Sequence, residues 1–260
     1  MMNILILGGT TEASELVRLL AGNPDINVTL SLAGRTKSPT LPASFHPDMA
    51  GNQKIRIGGF GGGEGLAEYI KQNGINTLIC ATHPFAAKIP FNAKLAAEIT
   101  GIPLLFICRK QWEEQKNDNW IRVASHKEAV EKLGDAPKRV FLSIGRLEVG
   151  EYSASPQHFY LIRSIEEIDN KNLPNAEYFT ARPPYSVEGE KELLTSHKID
   201  CIISKNSGGK ATEAKIIAAR ELAIPIIMIS RPARPSGVQV ETASEALEWV
   251  EKSTLPLGEG

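Results

Sequence analysis

The chain has 260 residues, of which 42% are hydrophobic and 23% charged, and its formal net charge is −1. This length allows one large or two small α/β domains, each with a sizeable core. The near-neutral charge gives no global attraction to nucleic acid or to an anionic membrane, and no apolar run is long enough to span a bilayer. Because the N-terminus does not resemble a signal peptide, the expected location is the cytoplasm.

Three cysteines, Cys80, Cys108 and Cys201, each lie within an apolar run. Their spacing suggests neither a metal site nor a disulfide framework. We therefore expect buried free thiols and no bound metal.

The first predicted strand, about Asn3–Leu7, ends in a pair of glycines at which a helical pattern begins. This arrangement opens many nucleotide-binding α/β units, because glycines let a ligand approach the backbone and a helix N-terminus attracts phosphate. The three-glycine spacing of the dinucleotide motif is absent, so an ordinary strand-to-helix turn is the alternative. Either Thr10 or Thr11, the two residues after the glycine pair, can cap the helix. The residues expected at the cofactor are Gly8, Gly9, Thr10, Thr11 and Glu12.

Strands and helices alternate through the first half of the chain. The predicted elements are a helix at Thr10–Leu20, a strand at Asn27–Ala33, a strand at Lys54–Ile57, a helix at Gly65–Gln72, a strand at Thr77–Ala81, a helix at about Ala87–Thr100 and a strand at Leu104–Cys108. The segment Thr36–Asn52 is rich in Pro, Ser and Thr and is predicted to be a loop. The alternation predicts a doubly wound parallel sheet with right-handed crossovers.

The second half of the sequence repeats part of the first. Ile75–Arg109 and Ile199–Arg231 each read as strand, loop, helix, Ile-Pro, strand and arginine, and a short extended piece and a helix follow each copy. We therefore expect an α/β protein with two similar Rossmann-like parallel-sheet domains, 1–134 for the dinucleotide and 135–260 completing the substrate cleft, joined near Gly134–Pro137. Ligands of such sheets bind at the carboxyl ends of the strands, which favours a cleft between the domains.

Arg35 follows the second strand, where dinucleotide folds select their cofactor. An acidic residue there binds the adenosine ribose of NAD, whereas an arginine accepts the 2′-phosphate of NADP. No acidic residue is present, and a guanidinium bonds well to phosphate, so Arg35 favours NADP. A solvated arginine at a strand end is the alternative.

Two further loops follow predicted strands of the first half. The stretch Gly58–Gly63 has five glycines in six residues, which leaves room for a ligand, and its one aromatic ring can stack on a flat group. A flexible surface turn is the alternative. The second loop, Thr82–Phe85, follows the predicted strand Thr77–Ala81. Its histidine, His83, can donate a hydrogen bond or a proton near neutral pH, although a lone histidine is often structural. The cofactor residues expected from these loops are Gly59, Phe60, Gly61, Thr82, His83, Pro84 and Phe85.

The loop Ser204–Gly209 occupies the matching position in the second half. Ser, Gly and Lys before a helix form a possible anion site, but Gly209-Lys210-Ala211 fails the Walker pattern, which disfavours ATP chemistry. Further arginines end strands or fill loops, and each alone is expected at the surface, whereas several in one cleft would suit a polycarboxylate ligand. These arginines are Arg109, Arg146, Arg163, Arg182, Arg231 and Arg234.

In combination these motifs resemble the precorrin-6A reductase family of cobalamin biosynthesis, including its cobalt-precorrin-6A branch. The matching stretches are Gly8–Ala13, Gly58–Gly62, Ala81–Ala86, Ser204–Gly209 with Thr212 and Lys215, and Arg231-Pro232. The resemblance implies NADPH-dependent reduction of one double bond in a polycarboxylate tetrapyrrole, giving precorrin-6B or its cobalt form. It also implies that cofactor and substrate meet in the cleft. The residues expected at the substrate are Arg182, Lys205, Ser207, Gly208 and Gly209.

Three positions depart from the family pattern. Cys80 and Asn206 stand where the family usually has Asp, and Arg182–Tyr185 replaces an Arg-Gly-Pro-Phe stretch. Two carboxylates that could donate a proton or orient a group are therefore missing, and the catalytic proton donor stays unassigned. Another NADP-dependent reductase, or a non-catalytic nucleotide-binding module, is the rival interpretation. A monomer or a small homo-oligomer is expected.

Overall fold

The computed structural model describes residues 1–34, 52–168 and 172–254. Strands and helices alternate along these residues, as the sequence pattern predicts. The strands are β1 Met2–Leu7, β2 Ile26–Leu32, β3 Gln53–Ile57, β4 Thr77–Cys80, β5 Leu104–Ile107, β6 Trp120–Val123, β7 Arg139–Ser143, β8 Phe159–Ser164, β9 Ala176–Thr180, β10 Cys201–Lys205, β11 Ile226–Ile229 and β12 Val238–Val240. The α-helices are α1 Thr11–Leu20, α2 Gly63–Gln72, α3 Ile89–Thr100, α4 His126–Leu133, α5 Val187–Ser196, α6 Ala214–Glu221 and α7 Ala243–Thr254. The 3₁₀ helices are Arg146–Ala154 and Lys210–Thr212.

The described strands form two six-stranded sheets, ordered β12-β5-β4-β1-β2-β3 and β6-β11-β10-β7-β8-β9. Every pairing is parallel. In each sheet the direction of winding reverses between two central strands, β1 and β4 in the first and β7 and β10 in the second. This is the doubly wound, Rossmann-like arrangement, in which ligands bind where the strand order reverses. The predicted fold class, two similar parallel-sheet domains, is confirmed.

The division of the chain differs from the predicted boundary near Gly134. One unit comprises Met1–Lys110 and Pro232–Gly260, and the other comprises Gln111–Arg231. The reason is an exchange of edge strands: β6 pairs with β11 in the second sheet, and β12 returns to pair with β5 in the first. A boundary at 134 therefore cuts through the second unit, and 135–260 includes a strand of the first sheet.

Helices cover both faces of the first sheet. On one face, α1 and α7 pack together through Leu16, Val17, Ala246 and Val250, all fully buried. On the other, α2 and α3 bury a second apolar cluster. Because both faces are covered, the central strands β1 and β4 are almost continuously apolar. The second unit buries its own cluster between the sheet and helices α5 and α6.

The predicted elements of the first half lie within two residues of the observed bounds. The three cysteines are free and buried, as predicted. Arg35 and the predicted loop Thr36–Asn52, except Asn52, lie outside the described residues. Over the described part of the chain, every helix is too short or too polar to cross a bilayer.

Candidate active site

The loop after β1 and the loop after β4 meet at the point where the first sheet reverses its winding. The Thr10 hydroxyl donates a hydrogen bond of 2.8 Å to the Ala81 carbonyl and accepts one of 3.2 Å from the Ala13 amide. Thr10, one of the two predicted candidates, is therefore the N-cap of α1 and also joins the two loops. Thr11, the first residue of α1, is exposed.

The two glycines of this turn are required for different reasons. A side chain at Gly8 would come within 2.6 Å of the Leu30 methyl group, so Gly8 allows close packing beneath the turn. Gly9 has a φ of 116°, which favours glycine, and a Cβ there would meet nothing within 4 Å. The backbone at Gly9 is thus open to a ligand next to the N–H groups that begin a helix. These features fit a diphosphate.

The carboxylate of Glu12 lies in the first turn of α1 and pairs with Arg109, which follows β5. Arg109 Nη1 lies 3.0 Å from Glu12 Oε2 and 3.2 Å from Glu12 Oε1. The ion pair offsets a negative charge that would otherwise repel phosphate at this turn. Arg109 is therefore partly buried and ion-paired, whereas the sequence predicts a surface position for this arginine when it is considered singly.

The glycine-rich loop after β3 has positive φ angles at Gly58, Gly61 and Gly62, where glycine is strongly favoured. Its aromatic ring, Phe60, is not fully open for stacking. The guanidinium of Arg56 lies 3.7 Å from the Phe60 ring centroid and covers one face, and Tyr69 packs edge-on against the ring. Nothing would crowd a Cβ at Gly59 or Gly61, so the backbone there is open.

The sequence analysis missed Arg56. The signal available was an arginine between two isoleucines at the end of a strand that leads into the glycine loop.

The loop after β4 orients its histidine through its own backbone. His83 Nδ1 accepts a hydrogen bond of 3.2 Å from the Phe85 amide, so a neutral ring carries its proton on Nε2. His83 is exposed, whereas Thr82 and Pro84 are buried and Phe85 is half-buried. The geometry supports a hydrogen-bond donor at Nε2 when the ring is neutral.

A buried thiol and a guanidinium lie beneath this loop. Burial raises the pKa of Cys80, while Thr82 and Arg234 act in the opposite direction. The Cys80 sulfur lies 3.5 Å from the Thr82 hydroxyl. Among the described residues, nothing hydrogen-bonds to the buried Nη1 and Nη2 of Arg234. The sequence predicts a surface position for Arg234, and this prediction is wrong for Nη1 and Nη2, which are buried.

The second unit holds the loop Ser204–Gly209 at the carboxyl end of β10. Lys205 Nζ pairs with the Glu148 carboxylate. Arg231 Nε donates to the Asn206 carbonyl at 2.8 Å, and its Nη2 donates to the Ser207 carbonyl at 3.1 Å. Gly208 has a φ of 69°. Arg231 therefore fixes the backbone of this loop, which is expected to bind an anion.

The loop that carries Arg182 meets the region just after this one. Tyr185 N donates a 3.1 Å hydrogen bond to the Ala211 carbonyl, so the two loops with expected substrate residues are neighbours. Arg182 itself is exposed. Arg163, by contrast, is buried in an ion pair with Glu190, not at the surface as expected.

Lys215 is buried beside the second-unit loops, and sequence analysis gave it no role beyond the family match. Its ammonium donates to the Thr212 carbonyl at 2.9 Å and lies 4.9 Å from the Trp112 ring centroid. Burial lowers the pKa of Lys215 to about 7, with Arg163 acting in the same direction and Glu190 opposing.

The expected cofactor residues thus belong to the first unit, except that Arg35 lies outside the described residues, and the expected substrate residues belong to the second. In the first unit a hydrogen bond joins the loops after β1 and β4, and in the second a hydrogen bond joins Tyr185 to Ala211, just after the loop Ser204–Gly209.

Comparison with known proteins identifies the family. A sequence model described as "Precorrin-6x reductase CbiJ/CobK" matches residues 3–251. A protein of Sinorhizobium sp named "Precorrin-6A reductase" is 46% identical over 95% of this chain and 92% of its own. A second, from Rhodococcus erythropolis and with the same name, is 41% identical over 96% of this chain and 98% of its own.

A solved structure titled "CobK precorrin-6A reductase" superposes with a TM-score of 0.87 at 40% identity and covers 100% of both chains. The match extends through both units and includes both exchanged strands. The chain belongs to the precorrin-6x reductase family, CbiJ/CobK.

Proposed function

We propose that this protein is the reductase of cobalamin biosynthesis that converts precorrin-6A into precorrin-6B with NADPH. The observation that carries the proposal is the turn at the reversal point of the first sheet, where Gly9 leaves the backbone open and Thr10 fixes the neighbouring loop. The names of relatives with 41–46% identity support the cobalt-free substrate.

The cofactor is assigned to the first unit. The diphosphate is held by backbone N–H groups after β1, from Gly8 to Thr11, with Glu12 neutralised by Arg109. The 2′-phosphate is held by Arg35. When bound, the reduced nicotinamide supplies a hydride to an electron-poor carbon of the macrocycle.

Two further loops of the first unit complete the cofactor site. The open backbone at Gly59 and Gly61, beside Phe60, accommodates a flat group. The loop from Thr82 to Phe85 closes the site near the nicotinamide, and His83 presents Nε2–H when its ring is neutral. These residues orient the cofactor and exclude water, and the proton comes from water or from a side chain.

The substrate's carboxylates are assigned to the second unit. Arg182 and Lys205 supply positive charge, and Ser207, Gly208 and Gly209 supply hydroxyl and backbone donors in a loop that Arg231 fixes. The Glu148 partner of Lys205 does not oppose this role, because a carboxylate-rich ligand can compete for the ammonium. We further propose that the protein is a monomer or small homo-oligomer, and that it acts in the cytoplasm.

The decisive experiment combines purified protein with precorrin-6A or cobalt-precorrin-6A and follows the loss of NADPH absorbance. We expect turnover of the cobalt-free substrate with NADPH and slower turnover with NADH. Nucleotide titrations without substrate separate the rival functions. Tight ATP binding without NADPH oxidation would indicate a nucleotide-binding module, and NADPH binding without turnover of either precorrin would indicate another reductase.

A further inference from the structure

Arg56 is held at the carboxyl end of β3 by contacts on its edge and on one face. Its Nη1 donates to the Gly58 carbonyl at 2.6 Å, and its Nη2 donates to the Gly59 carbonyl at 2.7 Å. The guanidinium also stacks on the Phe60 ring at 3.7 Å. The side chain is therefore fixed in orientation before any ligand arrives.

The positive charge of Arg56 has no counter-ion among the described residues. Its two hydrogen-bonded partners are the neutral carbonyl groups of Gly58 and Gly59, which accept hydrogen bonds without cancelling the charge. A guanidinium carries five N–H donors, so donors are left after these two bonds. A half-buried, pre-oriented cation with spare donors is suited to a phosphate.

The position of β3 indicates which phosphate of the cofactor Arg56 is placed to bind. It is the edge strand next to β2, with Leu32 paired to Ile57. A Cβ at Gly34, the last described residue after β2, would lie 3.1 Å from the Ile57 methyl group. The carboxyl ends of β2 and β3 are thus adjacent, on the side of the sheet where this strand order binds the adenosine half of a dinucleotide.

We propose that Arg56 binds the 2′-phosphate of NADPH and is a second determinant of cofactor specificity besides Arg35. This inference rests on the proposed NADPH-dependent function. The phosphate receives the outer N–H groups of Arg56 while the inner ones keep the glycine loop in place. Phe60 then acts as the support for the guanidinium instead of stacking directly on the cofactor with that face.

The test is calorimetric titration of the whole protein with NADPH and with NADH. Arg56→Gln removes the charge but keeps an amide that can bond to the Gly58 carbonyl, and Arg56→Ala removes both. The matched control is Lys54→Gln, an exposed cation two residues earlier on the same strand. We expect Arg56→Gln to weaken NADPH binding about tenfold or more while NADH binding changes by less than about twofold. Arg56→Ala also frees the glycine loop, so it should weaken NADPH binding at least as much and should lower NADH affinity as well. Lys54→Gln should leave both affinities unchanged.

The outcomes separate this inference from the function on which it rests. If the wild-type protein binds neither nucleotide, the proposed function fails and this inference falls with it. If the wild-type protein prefers NADPH and Arg56→Gln binds it equally well, the function stands and the role of Arg56 is refuted. Equal losses of NADPH and NADH affinity in Arg56→Gln also refute it, because they indicate a contact with a part that both cofactors share. Circular dichroism of each variant establishes that it is folded.

Discussion

The side-chain amide of Asn206 bonds to both backbone polar groups of Trp112. Asn206 Oδ1 accepts a hydrogen bond of 2.8 Å from Trp112 N, and Nδ2 donates one of 2.9 Å to Trp112 O. Asn206 is 2% exposed, so neither group has water as an alternative. An ionised aspartate could accept from the amide but could not donate to the carbonyl. An Asn at this position, where the resemblance implies an Asp, thus satisfies both polar groups of Trp112.

Replacing Asn206 with Asp should lower the free energy of unfolding by about 1–3 kcal/mol, because the Trp112 carbonyl loses its donor and a charge is buried. Urea denaturation measures the loss. Asn73→Asp is the matched control, because the Asn73 amide also donates to a backbone carbonyl, at 2.9 Å, but at an exposed site. Equal small losses in both variants would contradict the proposed importance of the buried pair.

Replacing Thr10 with Val should lower the free energy of unfolding by about 1–2 kcal/mol and should also weaken NADPH binding. The hydroxyl both caps α1 and holds the loop after β4. Thermal unfolding and a fluorescence titration with NADPH measure the two effects.

Thr242 provides the control, because its hydroxyl accepts from the Glu245 amide as a cap of α7. Thr242→Val should cost similar stability without changing NADPH affinity. If both variants bind NADPH like the wild type, the link between the loops does not shape the cofactor site.

Replacing Arg35 with Ala should weaken NADPH binding far more than NADH binding, because the guanidinium is proposed to contact the 2′-phosphate alone. Fluorescence titration with each cofactor measures the difference. Equal loss for both would remove the reason for expecting NADP preference. The Arg35→Ala, Arg56→Gln double variant should lose the remaining discrimination between the cofactors.

Replacing Lys215 with Met should raise stability at about pH 6 and flatten its dependence on pH. The pKa of Lys215 is lowered from 10.5 to about 7 in the folded protein. Between these values the unfolded chain binds one more proton, so the wild-type free energy of unfolding increases with pH. Below about pH 7, Lys215 is protonated in both the folded and the unfolded states, and the full cost of burying its charge lowers the free energy of unfolding.

Urea denaturation across this pH range tests the Lys215 prediction. Lys210→Met, an exposed lysine on the preceding 3₁₀ helix, should keep the wild-type slope. A slope unchanged by Lys215→Met would show that the buried ammonium does not titrate as expected.

Replacing Cys80 with Asp should cost about 3–5 kcal/mol more stability in an Arg234→Met background than in the wild type, because pairing with the guanidinium offsets the desolvation of the buried carboxylate. Among the described residues, Nη1 and Nη2 of Arg234 are buried and without a hydrogen-bond partner, which suits a carboxylate acceptor. Urea denaturation of both single variants and the double variant measures this coupling. Equal losses in the two backgrounds would exclude pairing.

Much of the first unit follows from local sequence. Alternating apolar runs and glycine punctuation predict β1 to β5 and the helices between them, and Thr10 reads correctly as a cap. The positions of the guanidinium groups, by contrast, cannot be predicted from local sequence. Arg163 and Arg234 are fixed by a partner distant in sequence or by burial that periodicity does not report. Arg56 is fixed by the carbonyls and the aromatic ring of the loop that follows it, and the strand pattern does not report these contacts either.

The exchange of β6 and β12 is also invisible to local reasoning. Each strand follows its own copy of the repeat and has an ordinary short extended pattern. Hydrophobic periodicity reports that a segment is partly buried, but it does not report which edge the segment joins. The assignment of edges depends on where the chain travels after Lys110 and Arg231.

Because β12 completes the sheet that β1 begins, the first unit cannot be obtained by stopping translation early. A truncated product ending at Gly134 would carry β6 without its neighbour β11, and it would leave β5 with an unpaired edge, which invites aggregation. A self-sufficient cofactor-binding fragment would have to splice Pro232–Thr254 directly onto Lys110, and the excised middle, Gln111–Arg231, would retain all six strands of its own sheet.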